Sequence, residues 1–187
     1  MAISSISICN VALSQLGANL INSFSEGSTE AVLCNTFYEQ ARILLLSQHP
    51  WNFAIARIEI APDVTAPIFH YEYQFTLPSN CIRVLQVYNN DDYKIESRKI
   101  LTNTNQCFIK YVSDSTDVST WSHGFINSLT ALLRFNLSYP ITKNSGEVAT
   151  SRELFERAFT EARAVDASQD IEDPFLGGPG SLISARF

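Results

Sequence analysis

The acidic pairs Asp91-Asp92 and Glu172-Asp173 are the first residues in this chain whose type and spacing could do chemistry. Two carboxylates flanking a glycosidic bond can serve as general acid and as base or nucleophile, so hydrolysis of a glycoside, with cell-wall peptidoglycan as one such substrate, is the reaction they would fit. One of the two acids must be desolvated to keep its proton. Both pairs lie in turn-rich sequence open to water, so a lytic site is the alternative expectation rather than the leading one. His70 and Glu72 fall on the same side of an expected strand and could touch a metal, but a stable site wants three or four ligands. They are expected as two solvated polar residues with no metal between them. None of the three histidines stands in a recognisable motif with Ser or Cys, and GxSxG, HExxH and GxxxxGK[ST] do not occur. The residues therefore predict a protein with no catalytic residue and no cofactor.

A second kind of chemistry is stacking. Phe69, Tyr71, Tyr73 and Phe75 alternate with His70, Glu72, Gln74 and Thr76, the period of a half-buried strand. Such a ladder could stack unpaired bases. It carries no interleaved Lys or Arg, so it is expected to face a core. The formal charge of -6, with 13 scattered basic residues, disfavours tight binding to DNA phosphates. An acidic wall would instead suit a surface that DNA slides past, because like charge holds the polymer off.

The elements that must position these residues change period along the chain. Ile6, Cys9, Leu13 and Leu16 predict a helix over 5–16 stopped by Gly17. Ser28 or Thr29 should cap a second helix over 29–49, with Leu33, Phe37, Ala41 and Leu44 on its buried face and His49-Pro50 at its end. Alternation then predicts strands over 53–60, 69–76, 82–88, 93–97 and 107–112, joined by turns at 89–92 and 103–105 and paired antiparallel within one small sheet. Asp117 or Ser122 should cap a third helix over 122–139, with Phe125, Leu129, Leu132, Leu133 and Leu137 buried and Pro140 beyond it. The last helix is expected over 145–167. There Thr150 and Glu153 have capping-box spacing, Phe155, Ala158, Phe159, Ala162 and Val165 form the buried face, and Arg152–Glu156, Glu153–Arg157 and Arg157–Glu161 are i,i+4 pairs.

The fold class this predicts is α+β: an antiparallel bundle of about four helices with a small antiparallel sheet inserted over 52–112. Residues 1–167 form one domain and 168–187 an extended C-terminal arm. With 187 residues, 45 % hydrophobic and 17 % charged, the chain has length for one well-cored domain. Cys9, Cys34, Cys81 and Cys107 form no CxxC pair and are expected as reduced core thiols, which points to folding in a cytoplasm. No apolar run reaches the roughly 20 residues that span a bilayer, and the N-terminus has neither the basic start nor the unbroken apolar stretch of a signal peptide.

Several short strings occur in a telling order: His49-Pro50-Trp51-Asn52-Phe53-Ala54 after a long helix; Tyr71-Glu72-Tyr73-Gln74-Phe75 before Leu77-Pro78; Cys81-Ile82-Arg83-Val84-Leu85; Tyr93-Lys94-Ile95-Glu96; Arg98-Lys99-Ile100-Leu101-Thr102-Asn103; Asp117-Val118 with Trp121 and Phe125; and Glu161-Ala162-Arg163-Ala164-Val165-Asp166-Ala167. Together they resemble tail tubular protein A, the head-to-tail adaptor family of short-tailed bacteriophages. Two departures are visible: the family tends to carry Gly where this chain has Ser97, and it omits Phe75-Thr76 before Leu-Pro. The resemblance implies a structural protein of the virion, made in the host bacterial cytoplasm and placed at the head-tail joint. It implies a twelvefold ring of identical subunits between the portal protein and a tail nozzle protein resembling tail tubular protein B. Genomic double-stranded DNA would pass through the ring without sequence-specific binding, and no membrane would be contacted. The arm would reach the portal through Phe175, Leu182, Ile183, Arg186 and Phe187.

Overall fold

The computed structural model describes residues 3–88 and 92–169. Four helices, α1 (Ser5–Gln15), α2 (Thr29–Gln48), α3 (His123–Thr142) and α4 (Ser145–Ala167), enclose between α2 and α3 the strands β1 (Ile55–Ile60), β2 (Tyr73–Thr76), β3 (Cys81–Tyr88), β4 (Tyr93–Glu96), β5 (Lys99–Thr102) and β6 (Cys107–Ser113). The fold is thus α+β with the strands inserted in the helical part, as the periodicity predicts.

Polar caps set the helix starts. Ser4 and Ser7 satisfy each other's backbone N–H groups reciprocally at the head of α1, and Ser28 Oγ accepts from the Ala31 N–H. Ser122 caps α3 through the Phe125 N–H, while Asp117 caps the short 3-10 turn before it. Gly17, at φ 69°, closes α1 in the left-handed conformation that glycine adopts without penalty. The main core joins Leu13, Leu45, Leu46, Trp51, Phe125, Leu129, Leu133 and Leu137, all fully buried. Gly124 lets α3 and α4 close together, because a Cβ there would lie 3.0 Å from Ala162 Cβ.

Several expectations are corrected. The strands form two three-stranded antiparallel sheets, β1-β6-β3 and β2-β5-β4, and not one. β5 was not foreseen. It completes a tight hairpin with β4 across Ser97-Arg98, both at positive φ (48° and 62°). This is the two-residue turn that needs left-handed backbone at both central positions. The first strand begins at Ile55 because Asn52–Ala54 takes a 3-10 turn. The strand expected over 69–76 is only Tyr73–Thr76: His70 has φ 69°, a left-handed break that ends alternation. The aromatic ladder splits with it, for Phe75 is buried while Phe69 is 71 % exposed.

The buried face of α2 is Ala31, Cys34, Tyr38, Ala41, Arg42, Leu45 and Leu46, and Leu44 points outward. Leu33 and Phe37 are half-buried against the same core, and α2 packs against α1, α3 and β3. α3 runs through Pro140 to Thr142; a proline so near the C-terminus forfeits a single bond to Asn136 and breaks nothing else. Asn144, not Thr150, caps α4, and Thr150 Oγ1 instead donates back to the Gly146 carbonyl. Arg152–Glu156 and Arg157–Glu161 form at 2.8 and 2.9 Å. Among the described residues Glu153–Arg157 does not form, since Arg157 is turned to Glu161. Val165 is 60 % exposed, at the edge of the stripe where α3 no longer covers α4.

Candidate functional surface

Most residues singled out for chemistry are not brought together. Asp92 is exposed, and its carbonyl accepts from Thr102 Oγ1 at 3.2 Å. Asp91, Glu172 and Asp173 lie outside the described residues, as do Phe175, Leu182, Ile183, Arg186 and Phe187. His70 and Glu72 are both exposed in a loop, where the His70 ring packs edge-on against Phe69 and the Glu72 N–H donates to Asn103 Oδ1. Among the described residues no group of three or more His, Cys, Asp or Glu could hold a metal ion.

The buried polar constellations are ones the sequence did not announce. Asp166, near the end of α4, accepts from the Asn52 N–H at 3.1 Å and faces His49 Nε2 at 3.1 Å, while Asn52 Nδ2 donates to the Asp166 carbonyl at 2.7 Å. A histidine on a buried carboxylate supplies two of the three members of a hydrolytic triad. Here no described hydroxyl or thiol hydrogen-bonds to His49, whose ring stands edge-on to Trp51 at 4.8 Å. The constellation clasps the end of α4 to the segment leading into β1. On α2, Arg42 is 2 % exposed. It donates to Asp114, to the Ser115 carbonyl and to Glu39. Burial opposes its charge, but Asp114 and Glu39 outweigh it and raise the guanidinium above its ordinary range.

All four cysteines are buried free thiols. Cys9 on α1 and Cys34 on α2 act on each other: the Cys34 thiol, with burial, pushes Cys9 up, and the Cys9 thiol lowers Cys34. Burial pushes Cys81 up and lifts Cys107 to about 11. Thiols fully enclosed in this way reach no substrate.

A hollow of about 410 Å³ lies where the loop Thr65–Tyr71 crosses β4 and β5. Its charges are paired. Lys99 Nζ meets Asp63 at 2.7 Å, and Lys94 meets Glu96 at 2.8 Å. The Lys99 bond, aided by Thr76 against a small desolvation, holds Asp63 below the usual carboxylate range. Among the described carboxylates whose pKa is shifted, Glu26, Asp63, Asp117 and Glu147, every shift is downward. A proton-donating acid needs the reverse.

What this region does expose is apolar. Val64, Ile68 and Phe69 are 107, 96 and 71 % exposed, and Tyr93 and Ile95 on β4 add to them. A second set lies on the helices: Val32 and Ile43 recur about three turns apart on α2, and Leu154 and Val165 do the same on α4. No described helix is long and apolar enough to cross a membrane. No family model matches the chain, and no curated protein matches it.

Proposed function

We propose that this chain is a structural subunit, the head-to-tail adaptor of a phage virion, which assembles as a twelvefold ring between portal and tail nozzle and surrounds the DNA exit channel. The observation that carries the reading is that apolar side chains are exposed on different elements, Ile68 and Phe69 on the loop before β2, Val32 and Ile43 on α2, and Leu154 and Val165 on α4. A cyclic ring needs a heterologous interface, in which one patch of a subunit meets a different patch of the next. Apolar side chains exposed on unlike elements can meet that requirement, whereas an isologous dimer would use one patch. The seven ordered strings shared with tail tubular protein A supply the particular identity, the ring size and the neighbours.

The C-terminal arm, residues 168–187, is assigned to the portal through Phe175, Leu182, Ile183, Arg186 and Phe187. Repetition around a ring multiplies weak single contacts. Native mass spectrometry of the purified protein with portal protein tests the reading: a complex with many subunits is expected, and deletion of 168–187 should weaken it. A protein that stays monomeric with portal present would remove the proposal. A truncated chain that docks unchanged would remove the arm from it.

A further inference from the structure

One sheet face carries features that neither the core nor the ring uses. β6 is the central strand of its sheet, and the register sets Lys110 directly opposite Arg57 on β1 and opposite Gln86 on β3. One step along, Phe108 faces Glu59 on one side and Tyr88 on the other. One step the other way, Val112 is fully buried in the helical core and pairs with Arg83. The face therefore starts under the helices and emerges as an overhang. A bulge in β3 between Val84 and Gln86 puts Gln86 and Tyr88 on the same side as Arg83.

Arg57, Arg83 and Lys110 have no ion pair among the described residues, and neither Tyr88 nor Phe108 has an aromatic partner there. Arg57, Arg83, Gln86 and Glu59 are exposed, and Lys110, Tyr88 and Phe108 half-buried. Like charges directly opposite in a sheet destabilise it. A chain of net charge -6 has acids to spare, yet among the described residues paired across this face Glu59 is the one acid. The cost is recovered when a polyanion lies across the row.

We infer that this face binds single-stranded nucleic acid: bases stack on Tyr88 and Phe108, and Arg57, Lys110 and Arg83 take the phosphates. Neighbouring strands are about 4.8 Å apart and same-face residues about 6.7 Å, so the paired rings Phe108 and Tyr88 lie one step from the paired cations Lys110 and Arg57, within a nucleotide's reach. Aromatic platforms flanked by cations bind single strands without sequence preference because every unpaired base offers a π-face. A duplex hides its bases and could use only the cations. At about 0.1 M salt, charges more than about 10 Å away are screened, so the row governs the local field despite the overall charge.

The test uses the full chain and the fluorescence anisotropy of labelled oligo(dT) and oligo(rU), with a duplex and polyglutamate as competitors. Both single strands should bind, with log affinity falling against log salt at a slope of about −2, as three neutralised phosphates require. Arg57→Gln should reduce that slope by about 0.7, Tyr88→Ala should weaken binding about 5- to 100-fold, and Glu59→Gln should strengthen it, a gain no unfolded protein gives. DNA alone or RNA alone binding would identify the sugar read. No binding, affinity indifferent to these variants, or equal capture of duplex or polyglutamate would overturn the inference. Assembly with portal is a separate measurement and is untouched by either result.

Discussion

The clasp at Asp166 joins partners 114 and 117 positions apart, and no local pattern could have linked them. Its carboxylate is 6 % exposed, so removing it strands the Asn52 N–H and the His49 ring in a site with little water. A buried donor left unsatisfied costs about 1–3 kcal/mol, more when the lost partner is charged. Asp166→Ala should therefore lower stability by about 2–4 kcal/mol, read as a denaturant midpoint that drops with m unchanged. Ser97 offers the opposite sign. Its φ of 48° is left-handed backbone that costs an L-residue roughly 1–2 kcal/mol, and glycine adopts it freely. Ser97→Gly should raise the thermal midpoint, less the entropy glycine returns to the unfolded chain. What was legible at this scale was local: the caps Ser28 and Ser122, the stop at Gly17 and four enclosed thiols follow from residue type. Arg42 and Asp166, polar residues inside the core, do not, because only the fold supplies their partners.

Between elements, the packing of α4 on α3 is pinned at its start by Arg134, which donates to Glu147 at 2.7 Å while Ser151 donates to the same oxygen at 3.1 Å. The Arg134 bond, then Ser151, against desolvation, holds Glu147 below its ordinary value of 4.5. A carboxyl with a depressed folded pKa stabilises the fold fully above its unfolded pKa and loses that contribution as pH falls through the folded one. Stability should thus decline as pH drops below about 4.5, and Glu147→Gln should flatten that limb of the profile while leaving the others. Equal slopes for both proteins in urea melts across the acid range would refute the assignment. The helices themselves were legible because a 3.6-residue stripe is a property of one segment. The division into two sheets was not: it depends on β6 pairing with both β1 and β3 and on β5 closing a hairpin onto β4, which are facts of register. The basic and aromatic row on the first sheet was hidden for the same reason, since Arg57, Lys110 and Tyr88 come from three strands.

At the scale of the molecule, the exposed loop around Ile68 and Phe69 cannot be explained by its own fold. These side chains stand 96 and 71 % exposed, and each would gain about 1.5–3 kcal/mol on full burial. A folded subunit loses only the exposed Phe69–His70 ring contact when they are made polar, so Ile68→Ser with Phe69→Ser should leave stability within about 0.5 kcal/mol of its parent. The proposed ring is another matter. Every interface would lose both anchors at once, and because closure requires all interfaces together, the losses compound around the circle. The double variant mixed with portal should then yield free subunits where the parent yields a multi-subunit species in native mass spectra. Val32→Ser with Ile43→Ser, on the α2 stripe, should fail in the same way. An equimolar mixture of the two variants should not rescue closure, because each mixed ring still contains defective junctions. Parent-like assembly by both variants would show that the apolar patches lie outside the interface and would leave the ring without a physical basis in this chain.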